Sequence, residues 1–66
     1  RADARGADFT RAVFAGADVT QMNFESANLS GADLRNARGL TQAQLDAACG
    51  DRRTRLPRGL RVERCR

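Results

Sequence analysis

The sequence contains no histidine, lysine, tryptophan or tyrosine, and only one proline. Without histidine, two cysteines supply at most half of a tetrahedral zinc site, and no CxxC pair marks a redox motif. The commonest general base is also missing. No carboxylate pair stands apart from the chain's regular pattern, and no glycine motif is suited to cradling phosphate, so neither an enzyme nor a cofactor is expected. No apolar run approaches the roughly 20 residues that cross a bilayer, and no basic stretch followed by an apolar core reads as a signal peptide. Because the chain begins at Arg1, that last point bears little on compartment.

With 66 residues the chain forms at most one small domain, near the limit at which a core alone stabilises a fold. All twelve basic residues are arginine, a usage that a GC-rich genome produces without selection for guanidinium chemistry. Residues 1–40 balance five Arg against five acids, whereas residues 41–66 carry seven Arg against three acids. The net charge of +4 therefore belongs to the C-terminal part, which marks two unlike segments.

The first segment repeats every five residues. Cut from Ala2, it reads ADARG, ADFTR, AVFAG, ADVTQ, MNFES, ANLSG, ADLRN and a degenerate ARGLT, without insertion. The first column is Ala except for Met22. The third is Ala4, Phe9, Phe14, Val19, Phe24, Leu29 and Leu34, ending at Gly39. The second column is polar except for Val13, and Gly6, Gly16 and Gly31 fall in the fifth. Apolar residues thus alternate at spacings of two and three, which fits neither an amphipathic helix nor a half-buried strand. A backbone that turns a corner every five residues sends the first and third columns inward.

Seven tandem A-[D/N]-[L/F]-x-x units resemble the pentapeptide-repeat family, whose members are right-handed quadrilateral β-helices with four pentapeptides per coil. The resemblance implies an all-β solenoid of about two coils, residues 2–21 and 22–41. Its central inward core is Phe9, Phe14, Val19, Phe24, Leu29 and Leu34. Adding twenty stacks Phe9 on Leu29, Phe14 on Leu34, Ala4 on Phe24 and Ala2 on Met22. Gly39, in place of a large inward residue, reads as the end of the solenoid under Val19.

An open coil presents apolar side chains and unpaired backbone, so its ends need covering. Residues 42–66 are expected to close the same domain as a short helix, a turn and an extended tail. Thr41 reads as the helix N-cap, Gln44 completes a capping box, and Leu40 packs on Leu45 as a hydrophobic staple. The helix is expected to run through Ala48 or Cys49 and stop at a left-handed Gly50, with Ala43, Ala47, Leu45 and Ala48 turned toward the second coil. Leu56-Pro57-Arg58-Gly59-Leu60 reads as a turn with Pro second and Gly fourth. This helix-and-tail segment is also similar to the C-terminal closure of many bacterial pentapeptide-repeat proteins.

Cys49 and Cys65 read either as a disulfide stapling the tail to the cap, in a periplasmic or exported chain, or as two free thiols in a reducing cytosol. The Arg-rich run, with Arg52, Arg53, Arg55, Arg58 and Arg61 foremost, reads either as a surface for nucleic acid or another anionic partner, or as a solvated tail. Nucleic acid is the less favoured partner, because no Trp or Tyr offers a stacking platform and all three Phe lie in the inward column. Some family members imitate DNA with an acidic rod, but here the repeats are neutral and the tail is basic. The expected function is a non-catalytic structural or protein-binding module, a small accessory part of a larger bacterial assembly. Self-association through the open first coil is a further expectation.

Overall fold

The computed structural model describes residues 3–65. The stacking of Ala2 on Met22, and Arg66 of the tail, lie outside the described residues.

Each pentapeptide bends the chain by one tight turn. A first-column N–H donates to the third-column carbonyl three residues earlier: Ala7 to Ala4 at 3.1 Å, Ala12 to Phe9 at 2.9 Å, Ala17 to Phe14 at 2.9 Å and Met22 to Val19 at 3.0 Å. The fifth-column residue takes the third place in these turns. Its φ is positive at Gly6, Arg11, Gly16, Gln21, Ser26 and Gly31, from 58° to 73°. A left-handed residue in that place makes a type II turn, which glycine occupies at no steric cost.

Successive circuits then pair in parallel at a spacing of twenty: Asp3 with Asn23, Asp8 with Asn28, Val13 with Asp33, and Asp18 with Arg38. Ala4 N–H donates to Asn23 O at 2.9 Å, and Asn28 N–H donates to Ala7 O at 2.9 Å. These bridges are isolated because the chain turns again before a second pair can form. The chain is accordingly a solenoid of the β-helix kind.

The winding does not finish at Gly39. Asn28 also bridges Cys49 and Asp33 also bridges Arg55, so residues 49–55 continue the ladder on two sides, and Gly50 then bridges Arg64. What Gly39 marks is a close approach: its φ is +79°, and a Cβ there would collide with the Thr20 hydroxyl.

The one helix among the described residues, α1, is Gln42–Asp46, shorter than the sequence suggests. The ladder claims the backbone that would have extended it. Ala47 O accepts from Ser26 N–H at 2.8 Å, Cys49 N–H donates to Ala27 O at 3.0 Å, and Leu29 N–H donates to Cys49 O at 2.7 Å. Gly50 is therefore not a left-handed helix stop. It is glycine because a Cβ would lie 2.6 Å from Thr54 Oγ1 and 2.9 Å from Val62 Cγ1. The later turn is shifted as well. Leu60 N–H donates to Pro57 O at 3.2 Å, so Pro57 is first and Gly59, with φ +86°, third.

Phe24, Leu29, Leu34, Leu45 and Val19 are fully buried, and Ala4, Phe14, Ala27, Ala32 and Ala48 complete the core. Phe9 is partly buried against it. Phe9, Phe14 and Phe24 meet edge to face, with ring centroids 5.2, 6.0 and 6.4 Å apart, the favoured geometry for aromatic quadrupoles. Leu45 and Ala48 of the C-terminal segment enter this core, while Ala43 and Ala47 remain exposed.

Candidate functional site

The second-column side chains do more than face solvent. Each carboxylate or amide turns back and accepts the N–H two residues on: Asp3 from Arg5 at 3.1 Å, Asp8 from Thr10 at 3.0 Å, Asp18 from Thr20 at 3.0 Å, Asn23 from Glu25 at 3.0 Å, Asn28 from Ser30 at 2.9 Å and Asp33 from Arg35 at 3.2 Å. That N–H belongs to the second residue of the turn, of type II at all of these corners except Leu34–Ala37, where Asn36 is not left-handed, so the acidic or amide residue completes its own corner. Val13 breaks the row and is 74% exposed.

The same bonds hold these carboxyls ionised. The Arg5 side chain lowers Asp3 below the ordinary carboxylate range, the Thr10 hydroxyl lowers Asp8, and the Thr20 hydroxyl lowers Asp18. Arg35 brings Asp33 to about 2 through a side-chain bond at 2.9 Å.

The expected cap residues sit where the C-terminal segment meets the solenoid. Thr41 Oγ1 accepts from Gln44 N–H at 3.3 Å, and Gln44 Oε1 accepts from Thr41 N–H at 2.8 Å. Leu40 is partly buried and Leu45 fully so. Gln44 has a second role that the sequence did not signal. Its Nε2 donates to Val19 O at 2.7 Å and Met22 O at 2.9 Å, fastening α1 to the corner between the circuits. Gln42 clamps the tail in a similar way, exchanging hydrogen bonds with Arg61 N–H and O at 3.1 and 2.9 Å.

Asp51 and Thr54 were also missed. Asp51 Oδ1 accepts from Gly31, Arg53 and Thr54 N–H at 3.0, 2.9 and 3.1 Å, and Thr54 Oγ1 donates to Leu29 O at 2.8 Å. The carboxylate thus replaces the backbone carbonyl that receives the fifth-column N–H of Gly6 and Arg11. Burial pulls Asp51 upward, but these bonds outweigh it and its pKa lies below the ordinary value. The D-x-x-T spacing was the available signal, since an Asp can bond the N–H groups two and three residues on.

Cys49 and Cys65 are joined as a disulfide, with Cα atoms 4.8 Å apart. The Cys65 sulfur lies 3.6 Å from Ser30 Oγ, whose hydroxyl is the available donor. The arginines of the tail are not one continuous surface. Arg52, Arg53 and Arg55 line an open groove of about 720 Å³ together with Arg11 of the solenoid, Gly31 and Asp51. Arg61 lies on a smaller depression among Gln42, Asp46 and Glu63, and Arg58 lines neither. Among the described residues no cluster of His, Cys, Asp and Glu is suited to a metal ion. No helix among them is long and apolar enough to cross a membrane.

A solenoid built from tandem five-residue corners, with inward Ala and Phe/Leu columns and an Asp/Asn bond closing every corner from Asp3 to Asp33 except that of Val13, defines a repeat protein. The chain belongs to the pentapeptide-repeat family, whose model matches eight copies over residues 2–38. Proteins of this family are in general non-enzymatic structural modules. Neither the curated proteins nor the solved structures offer a significant match to the chain.

Proposed function

We propose that the chain is a non-catalytic protein-binding module, a right-handed quadrilateral β-helix whose residues 2–41 form about two coils and whose residues 42–66 cap them. In this reading it is a small accessory component of a larger bacterial assembly. The observation that carries it is the packed interior: Phe24, Leu29, Leu34 and Leu45 are fully buried in one apolar core, so recognition is assigned to the outer faces. Those faces are held rigid by the repeated corner bonds, and a preorganised surface loses little entropy on binding.

The test is affinity capture from lysate and from the periplasmic fraction, comparing the native chain with a version whose seven tail arginines are replaced by Gln. Defined protein partners retained by both forms and lost with Phe24→Asp, which disrupts the core, support the module. Partners that disappear with the arginines move recognition to the tail and favour the competing reading, in which the tail binds nucleic acid or an anionic surface.

A further inference from the structure

We propose that the groove framed by Arg11, Arg52, Arg53 and Arg55 is a binding site for a compact, multiply charged oxyanion of the phosphate or pyrophosphate class. This goes beyond protein binding and does not rest on it.

Sequence position separates Arg11 from the other three by some forty residues, yet the winding brings them to one corner. Arg11 and Gly31 are fifth-column residues of successive circuits, and Arg52, Arg53 and Arg55 belong to the layer below. Gly31 carries no side chain, and a Cβ there would lie 3.5 Å from Arg11 Cγ, so the Arg11 stem passes directly over it. The four arginines are exposed, and among the described residues none forms an ion pair. Arg5 and Arg35, elsewhere on the solenoid, are each neutralised by Asp3 and Asp33.

One acid lines the groove. Asp51 directs Oδ1 at the Gly31, Arg53 and Thr54 amides, so the carboxylate is engaged with the wall. Arg55 also lies within electrostatic reach of Asp33, whose carboxylate is already paired with Arg35. Four arginines against the engaged Asp51 and that shared Asp33 still leave an excess of positive charge, and the planar fork of arginine matches the geometry of phosphate oxygens. The charge is gathered at one corner of a molecule only 27 × 22 × 19 Å in extent, while Arg61 lies apart among acids. A compact anion fits such a spot better than a long polyanion, which needs a basic track and stacking surfaces.

Arg11 also supplies a clean test. It holds a φ of +64°, so Arg11→Gly removes the guanidinium while placing the residue that favours that backbone. Pyrophosphate is titrated calorimetrically into the native chain and into Arg11→Gly, Arg53→Gln and the control Arg58→Gln. Thermal melts check each fold. The expected result is saturable binding by the native chain and by Arg58→Gln. Arg11→Gly and Arg53→Gln, both still folded, should each weaken it by roughly tenfold to a hundredfold, the range for losing a charge-assisted contact. Equal weakening by Arg58→Gln overturns the site in favour of diffuse charge. So does absence of pyrophosphate binding, including a case in which single-stranded DNA binds with a steep salt dependence instead. Parallel titrations with a phosphomonoester and with phosphate-headgroup vesicles distinguish a soluble ligand from a lipid.

Discussion

A left-handed corner places conflicting demands on Arg11, Gln21 and Ser26. Each sits at positive φ where Gly6, Gly16 and Gly31 serve equivalent corners. For a residue with a Cβ that conformation costs roughly 1–2 kcal/mol, partly offset because glycine has more freedom to lose on folding. Gln21→Gly is expected to raise stability by about 0.5–1 kcal/mol, and Gln21→Val, β-branched, to lower it. Urea denaturation of the two variants beside the native chain gives both signs. If Gln21→Val is the more stable, the corner assignment at residue 21 fails.

At the scale of the element, α1 has only five residues, too few to persist without contacts outside it. Gln44 supplies two sorts of contact, and one substitution separates them. Gln44→Glu keeps the oxygen that accepts from Thr41 N–H but removes the amide that donates to Val19 O and Met22 O. A carboxylate facing two carbonyls is expected to cost about 1–3 kcal/mol, measured as a lower denaturation midpoint, with near-native stability retained if the capping box alone matters. The disulfide acts on the next element along. Reducing it should cost roughly 3 kcal/mol for a loop of this length, and hydrogen exchange should quicken first at Gly50 and Cys65, whose amides bond across that rung.

The C-terminal elements also show where sequence reasoning reaches its limit. The five-residue period makes the inward columns legible, because burial follows the repeat. Thr41-x-x-Gln44 makes the helix start legible, because capping is local. The helix end was not, since Ala27 and Leu29 compete for the backbone of Cys49 from about twenty residues away. For the same reason Gly50 looked like a stop signal, when its small size serves a contact with Thr54 and Val62. The groove escaped notice because Arg11 meets residues 52–55 only after the chain has wound back on itself.

Across the whole molecule the acidic column couples folding to pH. The folded carboxyls of Asp3, Asp8, Asp18, Asp33 and Asp51 all lie below their ordinary values, so the unfolded chain takes up protons first. Their stabilisation is complete above the ordinary value near 4 and is lost as pH falls through the folded values, to about 2 for Asp33. The urea midpoint is therefore expected to hold steady down to about pH 5 and to decline between about pH 4 and 2. Asp33→Asn should flatten part of that decline while keeping an oxygen for the Arg35 amide. A midpoint independent of pH over that window would show that the corner bonds contribute nothing as carboxylates.

The positive φ of the corners also bears on handedness. Gly6 and Gly16 hold values of +67° and +73°, which are the everyday backbone angles of an amino acid of the opposite chirality. In a chemically synthesised chain, D-alanine at these two positions should fit without backbone strain and stiffen the unfolded state, adding about 0.4–1 kcal/mol each, whereas L-alanine should subtract. The solenoid, made wholly from one enantiomer, is thus built on corners that the mirror-image building block would suit better.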